Sequence, residues 1–282
     1  MKPQGLKAKI FLDSGDPQET SEMLSLLGFL DGQTTNPTLI SKNPQAAGNS
    51  PKDFYRSVVE KISGMIPNGS VSIEVYADRN STAEAMLIQA REMFTWIPNA
   101  HIKFPTTAEG LKAAHQAVAE RMRVNMTLVF SQEQAAAVYA ATQGAKRGDV
   151  FLSPFIGRLD DRGDSGMDLI ANIIKMYAAG DGHVEVLTAS CRTVDHLLAA
   201  IALGSDSITC PAAKVLKPWH EQGMSMPDAQ FRYERPDLKP IPYQEIVLTK
   251  PWSEYQITHE LTDQGLDKFA ADWNSLMGRT QS

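Results

Sequence analysis

The chain has 282 residues, 43% hydrophobic and 21% charged, a globular composition with enough length to bury a substantial core. Its formal net charge of −6 argues against a surface that tracks a polyanion; nucleic acid is not expected as a partner, and any phosphate must be met by a few placed arginines. No run approaches the roughly 18 apolar residues of a membrane helix, and the opening stretch lacks the apolar segment of a secretion signal, so no membrane association is expected.

The length admits two domains or a single α/β barrel. Two cysteines, Cys191 and Cys210, fall in strand-like regions, so free buried thiols and a reducing, cytoplasmic setting are expected. The six histidines are scattered with no HxxxH or HxH pairing, so no metal site is expected.

In chain order, the first β-rich run, 9–13, ends in Asp13. A helical segment at 17–28 leads to the run 32–35, which ends in Thr34-Thr35-Asn36-Pro37. Helical period at 51–64 precedes the run 71–76, which carries Glu74. The segment 81–94 precedes 101–104, where Lys103 interrupts an apolar strand. The segment 108–120 precedes 124–129, with Asn125 and Thr127 two apart and so on one face. The segment 131–143 opens on Ser131 as an N-cap and precedes 150–153, which ends in Ser153 with Arg158 just beyond. The segment 166–179 precedes 184–189, which runs into Ser190 and Arg192. A last repeat pairs helical 193–203 with the run 207–210, and 212–221 reads as its closing helix.

Eight strand–helix repeats imply a parallel sheet, and they favour a closed (β/α)8 TIM barrel over an open one. A doubly wound sheet would want a Gly-rich phosphate loop after its first strand, and Asp13-Ser14-Gly15-Asp16 is no GxGxxG. The expected organisation is a barrel over 1–222 and a C-terminal extension over 223–282 packed on the same domain. From 223 to 252 the extension is rich in proline and aromatics, which suits a segment packed on the barrel, a lid or an oligomer contact. Helical period returns at 262–277, with Leu266, Phe269, Trp273 and Leu276 on one face.

In a parallel barrel the C-terminal strand ends share one mouth, where catalytic groups sit. Taken singly, most of these polar residues have bland readings. Asp13 can cap a turn or helix, Asn36 can start a turn before Pro37, Arg158 can pair with Asp160 or Asp161 on the surface, and Ser190 can cap the next helix. Lys103 is harder to dismiss. Pointing inward, a lysine must be paired or neutral, and burial turns a lysine into an amine nucleophile. Pointing outward, it would snorkel between helices. The strand alone leaves both open. Asp13 and Glu74 would balance an interior Lys103 and can shuttle protons beside it.

The stretches Phe11-Leu12-Asp13, Asp31 to Ile40 (DGQTTNPTLI), Ile73-Glu74-Val75, Ile102 to Gly110 (IKFPTTAEG), Val124 to Ser131 (VNMTLVFS), Ser153 to Arg158 (SPFIGR) and Thr188 to Arg192 (TASCR) together resemble the transaldolase family, in family order over roughly residues 8–215. Residues 223–256 match no segment of it. The resemblance implies transfer of a dihydroxyacetone unit between sugar phosphates of the pentose phosphate pathway through a Schiff base on Lys103, without cofactor or metal. It implies Asp13 as the acid–base group, and Glu74 with Thr127 as holders of a proton-relaying water. Asn36, Asn125 and Ser153 would bind the retained three-carbon unit. Arg158 and Arg192, with Ser190, would bind the terminal phosphate. A homo-oligomer is expected.

The family has two branches. Transaldolases keep the enamine for an aldose acceptor, whereas fructose-6-phosphate aldolases release free dihydroxyacetone. The aldolase branch tends to carry Gln at the position of Glu74 and Tyr at that of Phe155, so both residues point to transfer. Phe104-Pro105 after the lysine looks more like the shorter, aldolase-like branch.

Overall fold

The computed structural model describes residues 2–46 and 51–276; Met1 and Met277, which bound the first and last expected segments, lie outside the described residues. The eight strands are β1 (Lys9–Asp13), β2 (Gly32–Thr34), β3 (Ser70–Glu74), β4 (Ala100–Pro105), β5 (Val124–Val129), β6 (Val150–Pro154), β7 (Val184–Thr188) and β8 (Ser207–Cys210). They pair in sequence order, all parallel, and β1 closes on β8. The fold is therefore the expected (β/α)8 barrel.

The helices are α1 (Pro17–Leu27), α2 (Pro37–Ser41), α3 (Pro51–Met65), α4 (Ala83–Phe94), α5 (Ala108–Ala119), α6 (Gln132–Ala141), α7 (Ile156–Asp160), α8 (Gly166–Tyr177), α9 (Val194–Leu203), α10 (Lys217–Glu221) and α11 (Glu260–Leu276). Thr82, Thr107, Ser131, Ser165 and Thr193 each cap a helix with a side-chain oxygen that accepts a backbone N–H. Two differences concern short pieces. α2 and α7, five residues each, occupy βα loops that periodicity over longer windows passes over. The expected single helix at 212–221 is a π-helical turn, Ala212–Leu216, followed by α10. Pro218 has no N–H and cannot carry an unbroken α-helical ladder across that junction.

Strand alternation sorts the interior into layers. On β4, His101 lies below Lys103. His101 stacks on Phe151 at 4.2 Å, its Nδ1 meets Ser70 Oγ at 2.7 Å and its Nε2 meets the Gly148 carbonyl at 2.9 Å. Burial pushes this imidazole down to about 3, so it is a neutral floor plate and not an acid. The next inward layer brings Glu74, Lys103 and Asn125 side by side in register, and Asp13 beside Thr34.

The extension runs along the outside of α6 and α8 before the chain returns to the mouth. The Gln132 amide donates to the Gln244 carbonyl at 3.1 Å and accepts from its N–H at 2.8 Å. Asn172 donates to Ile241 O at 2.9 Å, and Lys239 N–H donates to Gly163 O at 2.7 Å. Pro240 and Pro242 offer no N–H, so the alternate residues make these bonds. Phe231, Ile246, Leu248 and Trp252 pack against the core.

α11 then lies over the mouth. Thr262 Oγ1 donates to Leu128 O at 2.9 Å and accepts from Gln134 Nε2 at 2.8 Å, both buried. Asp272 accepts from the Thr38 hydroxyl on α2. At Gly265 a Cβ would stand 2.5 Å from Leu128 Cδ2 and 2.7 Å from Arg158 Nη1, so the missing side chain lets the helix settle onto the site. Thr262→Val keeps the shape and removes two buried hydrogen bonds; denaturant unfolding is expected to show a loss of about 1–3 kcal/mol.

Candidate active site

At the base of the mouth, Lys103 Nζ lies 3.0 Å from Glu74 Oε2 and donates to the Thr35 carbonyl at 3.1 Å. Both side chains of the pair are 4% exposed, which makes this a buried ion pair and removes the outward, snorkelling alternative. Thr35 is fixed in turn. Its hydroxyl donates to Ser72 O at 2.7 Å and lies 2.6 Å from Tyr55 Oη, and Tyr55 Oη accepts the Glu74 N–H at 2.8 Å. Tyr55 of α3 thus ties the lysine's two acceptor strands together.

Asp13 Oδ1 accepts from the Thr34 hydroxyl at 2.6 Å, and the Thr34 and Thr209 hydroxyls are 2.6 Å apart. Burial pushes the Asp13 carboxyl up; the Thr34 hydrogen bond and the charge of Lys103 pull the other way without cancelling it. Glu74 is also raised, by burial first, with Lys103 opposing. Two carboxylates therefore share the neighbourhood of one ammonium, and each holds a proton more tightly than a carboxyl in water.

Asn125 donates to Ser72 Oγ at 3.0 Å and accepts from Ser153 Oγ at 2.7 Å. Asn36 caps α2, accepting the Leu39 N–H at 2.9 Å, and also lines the cavity, so the turn-starting reading and the ligand-facing reading describe the same residue. Thr127 Oγ1 is buried and bonds to no protein group.

The outer wall is cationic. Arg158 is half-buried, its guanidinium 5.3 Å from the Phe155 ring and 5.5 Å from the Phe269 ring, with no carboxylate within 4.0 Å among the described residues. The expected surface pairing of Arg158 is thus absent there; Asp161 pairs instead with Arg192, at 2.7 Å. Lys268 of α11 completes the rim and pairs with Asp272 at 3.2 Å. Ser190 has φ +62°, a left-handed backbone that serine adopts only under constraint, and it turns the chain between β7 and Arg192.

A cavity of about 180 Å3 joins the two halves. Of the candidate residues read from the sequence, Asp13, Asn36, Lys103, Ser153, Phe155, Arg158, Ser190 and Arg192 line it. Glu74, Asn125 and Thr127 do not line it; Glu74 reaches it through Lys103 and Asn125 through Ser153. Thr38, Thr209 and Lys268, which are not among those candidates, also line it, as does Phe269, expected only on the packing face of the C-terminal helix. Thr209, a polar residue near the end of an apolar run, carries the signal that marks Asp13. Lys268 and Phe269 carry none, because only the return path of α11 puts them there. Among the described residues, no group of three or more His, Cys, Asp and Glu is placed to hold a metal ion, and no helix is long and apolar enough to cross a membrane.

Fold and site together describe a (β/α)8 barrel with an interior lysine–carboxylate cluster facing an arginine pair. A family model described as Transaldolase/Fructose-6-phosphate aldolase matches residues 10–280, and the chain belongs to that family of aldolase-type enzymes. The match runs through residues 223–256, so the expectation that this stretch lies outside the family is corrected. The chain is 36% identical to a probable transaldolase of Dehalococcoides mccartyi over 268 residues, 95% of this chain and 99% of that protein. It is 37% identical to one of Brucella ovis over 265 residues, covering 94% and 96% of the two chains. It is 34% identical to one of Methanococcus maripaludis over 271 residues, covering 96% and 100%. A 3-hexulose-6-phosphate synthase structure from Salmonella typhimurium superposes with TM-score 0.50 at 11% identity over 73% of this chain and 89% of that one, which speaks to the fold alone.

The raised Asp13 carboxyl gives a stability signature. A carboxyl whose folded pKa lies above its unfolded value stabilises fully below the unfolded value and loses that contribution as pH rises through the folded one. Asp13→Asn keeps an acceptor for Thr34 and removes the charge. It is expected to melt above the parent chain at pH 8, with the gap closing as pH falls toward about 4. Melting curves across pH check this; a gap that widens on acidification contradicts it.

Proposed function

We propose that the chain is a transaldolase that moves a dihydroxyacetone unit from fructose 6-phosphate or sedoheptulose 7-phosphate to an aldose phosphate through a Schiff base on Lys103. The observation that carries this reading is the placement of one buried, carboxylate-paired lysine at the base of a cavity whose rim presents an unpaired, aromatic-flanked arginine. An amine and an anion site at opposite ends of one cavity suit a phosphorylated carbonyl compound.

In the proposed reaction, Glu74 takes a proton from Lys103 and frees the amine, which attacks the C2 carbonyl of the ketose. Loss of water leaves a protonated imine. Asp13 removes the proton from the C4 hydroxyl, the C3–C4 bond breaks, and its electron pair flows into the imine as an enamine while the aldose phosphate departs. The enamine attacks the aldehyde carbon of the acceptor, Asp13 returns its proton to the new C4 oxygen, and water releases the product ketose. The unpartnered Thr127 hydroxyl and the Glu74 carboxyl suit the holding of the water that enters and leaves. Asn36 and Ser153 line the deep half of the cavity, where the three-carbon unit would sit; Asn125 acts through Ser153, since its own amide is engaged. Arg158 and Arg192 would meet the phosphate, with Ser190 beside them. The pathway would be the pentose phosphate pathway, in the cytoplasm, and the assembly a homo-oligomer.

The second reading is a fructose-6-phosphate aldolase that releases dihydroxyacetone. Phe155 weighs against it: its ring packs edge-on to Phe130 at 6.0 Å and offers no acidic hydrogen beside the enamine.

Borohydride reduction in the presence of fructose 6-phosphate is expected to fix a three-carbon adduct on Lys103, seen by peptide mapping, and Lys103→Arg is expected to abolish both adduct and turnover. Turnover without an adduct would sink the Schiff-base route. Phe155→Tyr is expected to raise fructose 6-phosphate cleavage in the absence of acceptor; an unchanged product ratio would remove the branch assignment.

A further inference from the structure

A second buried cluster stands directly behind the arginine wall. His196, on the first turn of α9, is 2% exposed, and its Nδ1 accepts the backbone N–H of Arg192 at 3.2 Å. Helices often carry a glutamate or glutamine at this position, which accepts the N–H of the capping residue; here the acceptor reaches one residue further back, to Arg192. Here the acceptor is an imidazole, and Thr193 supplies the ordinary cap by accepting the His196 N–H at 3.2 Å.

An imidazole that accepts at Nδ1 carries its proton on Nε2 when neutral. Nε2 lies 3.0 Å from Asp160 Oδ2, on the last residue of α7, an ion-pair distance without hydrogen-bond alignment. That carboxylate is only 9% exposed, and its other oxygen accepts the Gly166 N–H at 2.9 Å. From the extension, Arg235 Nη1 lies 3.8 Å from the same Asp160 oxygen, and the Tyr233 ring packs edge-on to the imidazole at 5.7 Å. The Tyr233 hydroxyl is buried there without a hydrogen-bond partner. The chain of contacts therefore runs from the extension, through a carboxylate and an imidazole, to the backbone of Arg192.

Arg192 is tightly placed on its other side as well. A Cβ at Gly157 would stand 2.3 Å from Ser190 O and 2.4 Å from Arg192 Nε, so α7 and the Ser190–Arg192 turn are in direct contact. The Arg192 side chain is 42% exposed and pairs with Asp161 at 2.7 Å, whereas its backbone N–H is held by His196. A positioned backbone under an exposed side chain suits an anion-binding residue that must give up one partner, Asp161, for another.

We propose that His196 is the positioning residue of Arg192, and that Asp160 with Tyr233 and Arg235 of the extension orient His196 for it, so that the extension sets how well the site holds a phosphorylated substrate. The inference rests on the reading of Arg192 as a phosphate-binding residue. The extension is, on this account, neither a lid nor inert packing.

The test uses the full-length chain and two ligands, fructose 6-phosphate and dihydroxyacetone, which carries no phosphate. Half-saturating concentrations for borohydride trapping on Lys103 are measured with each, and KM and kcat are measured for transfer. His196→Ala is expected to raise the fructose 6-phosphate half-saturation and KM by roughly five- to tenfold, the change that loss of one such hydrogen bond gives. kcat is expected to stay within about twofold and dihydroxyacetone trapping to stay as in the parent. His196→Gln, which keeps an acceptor able to reach back, is expected to recover most of the loss. Arg235→Ala, a largely exposed change that keeps the proposal testable should His196→Ala fold poorly, is expected to raise the same KM by roughly two- to threefold. An unchanged fructose 6-phosphate KM in His196→Ala overturns the proposal. So does a parallel loss of dihydroxyacetone trapping, or a Gln variant no better than Ala. An unchanged KM in Arg235→Ala removes the part assigned to the extension. If the parent chain traps neither ligand, the Schiff-base reading itself has failed and the positioning role falls with it; trapping of both ligands at equal concentration in Arg192→Ala and parent would instead fault the assignment of Arg192.

Discussion

The 3.0 Å contact between Lys103 and Glu74 is the constraint on which the interior depends. An ammonium without a partner inside a barrel costs several kcal/mol, and a paired one remains only if the rest of its hydrogen-bonding capacity is met. The structure meets it with the Thr35 carbonyl, and it fixes that carbonyl by a bond from Thr35 to β3 and a tyrosine from α3. Register does the rest: Glu74 and Lys103 are direct neighbours across β3 and β4, so the pair forms on rigid strands without any loop having to order itself. This is the physical reason for polar residues on strands that are otherwise buried and apolar.

The cationic rim is built differently. Arg158 sits on a five-residue helix, Arg192 on the turn after a left-handed Ser190, and Lys268 on α11, which the chain's return path brings over the mouth. Strand geometry does not align these three. Close approaches do: Gly265 lets α11 down onto Arg158, Gly157 lets α7 meet Arg192, and Phe155 and Phe269 flank the Arg158 guanidinium. The deep end of the cavity is therefore preorganised by register and the outer end by packing, a division that matches a fixed reacting centre and an adjustable anion grip.

That division also sets what was legible in the sequence. Strand residues obey a period of two, so reading the polar residues on or at the end of each apolar run recovers Asp13, Glu74, Lys103, Asn125, Thr127 and Ser153 in one pass; Asp13 is half-buried and the other five are buried. Loop and helix contributions have no such period. Asn36 and Arg158 stand at or just beyond strand ends, where position alone leaves their bland readings open; TTNP and SPFxGR, which resemble family motifs, single them out, and α2 and α7, which hold them, are too short to show periodicity. Tyr55 reads as one of several apolar residues on a helix; nothing in its spacing distinguishes a core tyrosine from one whose hydroxyl anchors a strand. The proline-rich segment after 223 conceals its path for a related reason. It bonds through side chains of α6 and α8 to its own backbone, and neither partner announces the other.

On the proposed reading, the fate of an enamine on Lys103 turns on where acidic hydrogens stand. Asp13 and Glu74 both hold protons more tightly than free carboxyls do, because burial penalises their charge, and a single ammonium lies between them. On the proposed reading, Asp13 becomes protonated when the first aldehyde leaves, and that proton is the one the acceptor's oxygen needs on addition. A second acid at the enamine carbon would compete with the acceptor and release the three-carbon unit. The cavity wall beside that position is Phe155, backed by Phe130, with Phe269 across from it, and none of the three can donate a proton. Retaining a proton at Asp13 while withholding one elsewhere is an electrostatic condition, met by burial at one wall and by hydrocarbon at the other. Chemistry that transfers the unit needs both walls, and neither suffices alone.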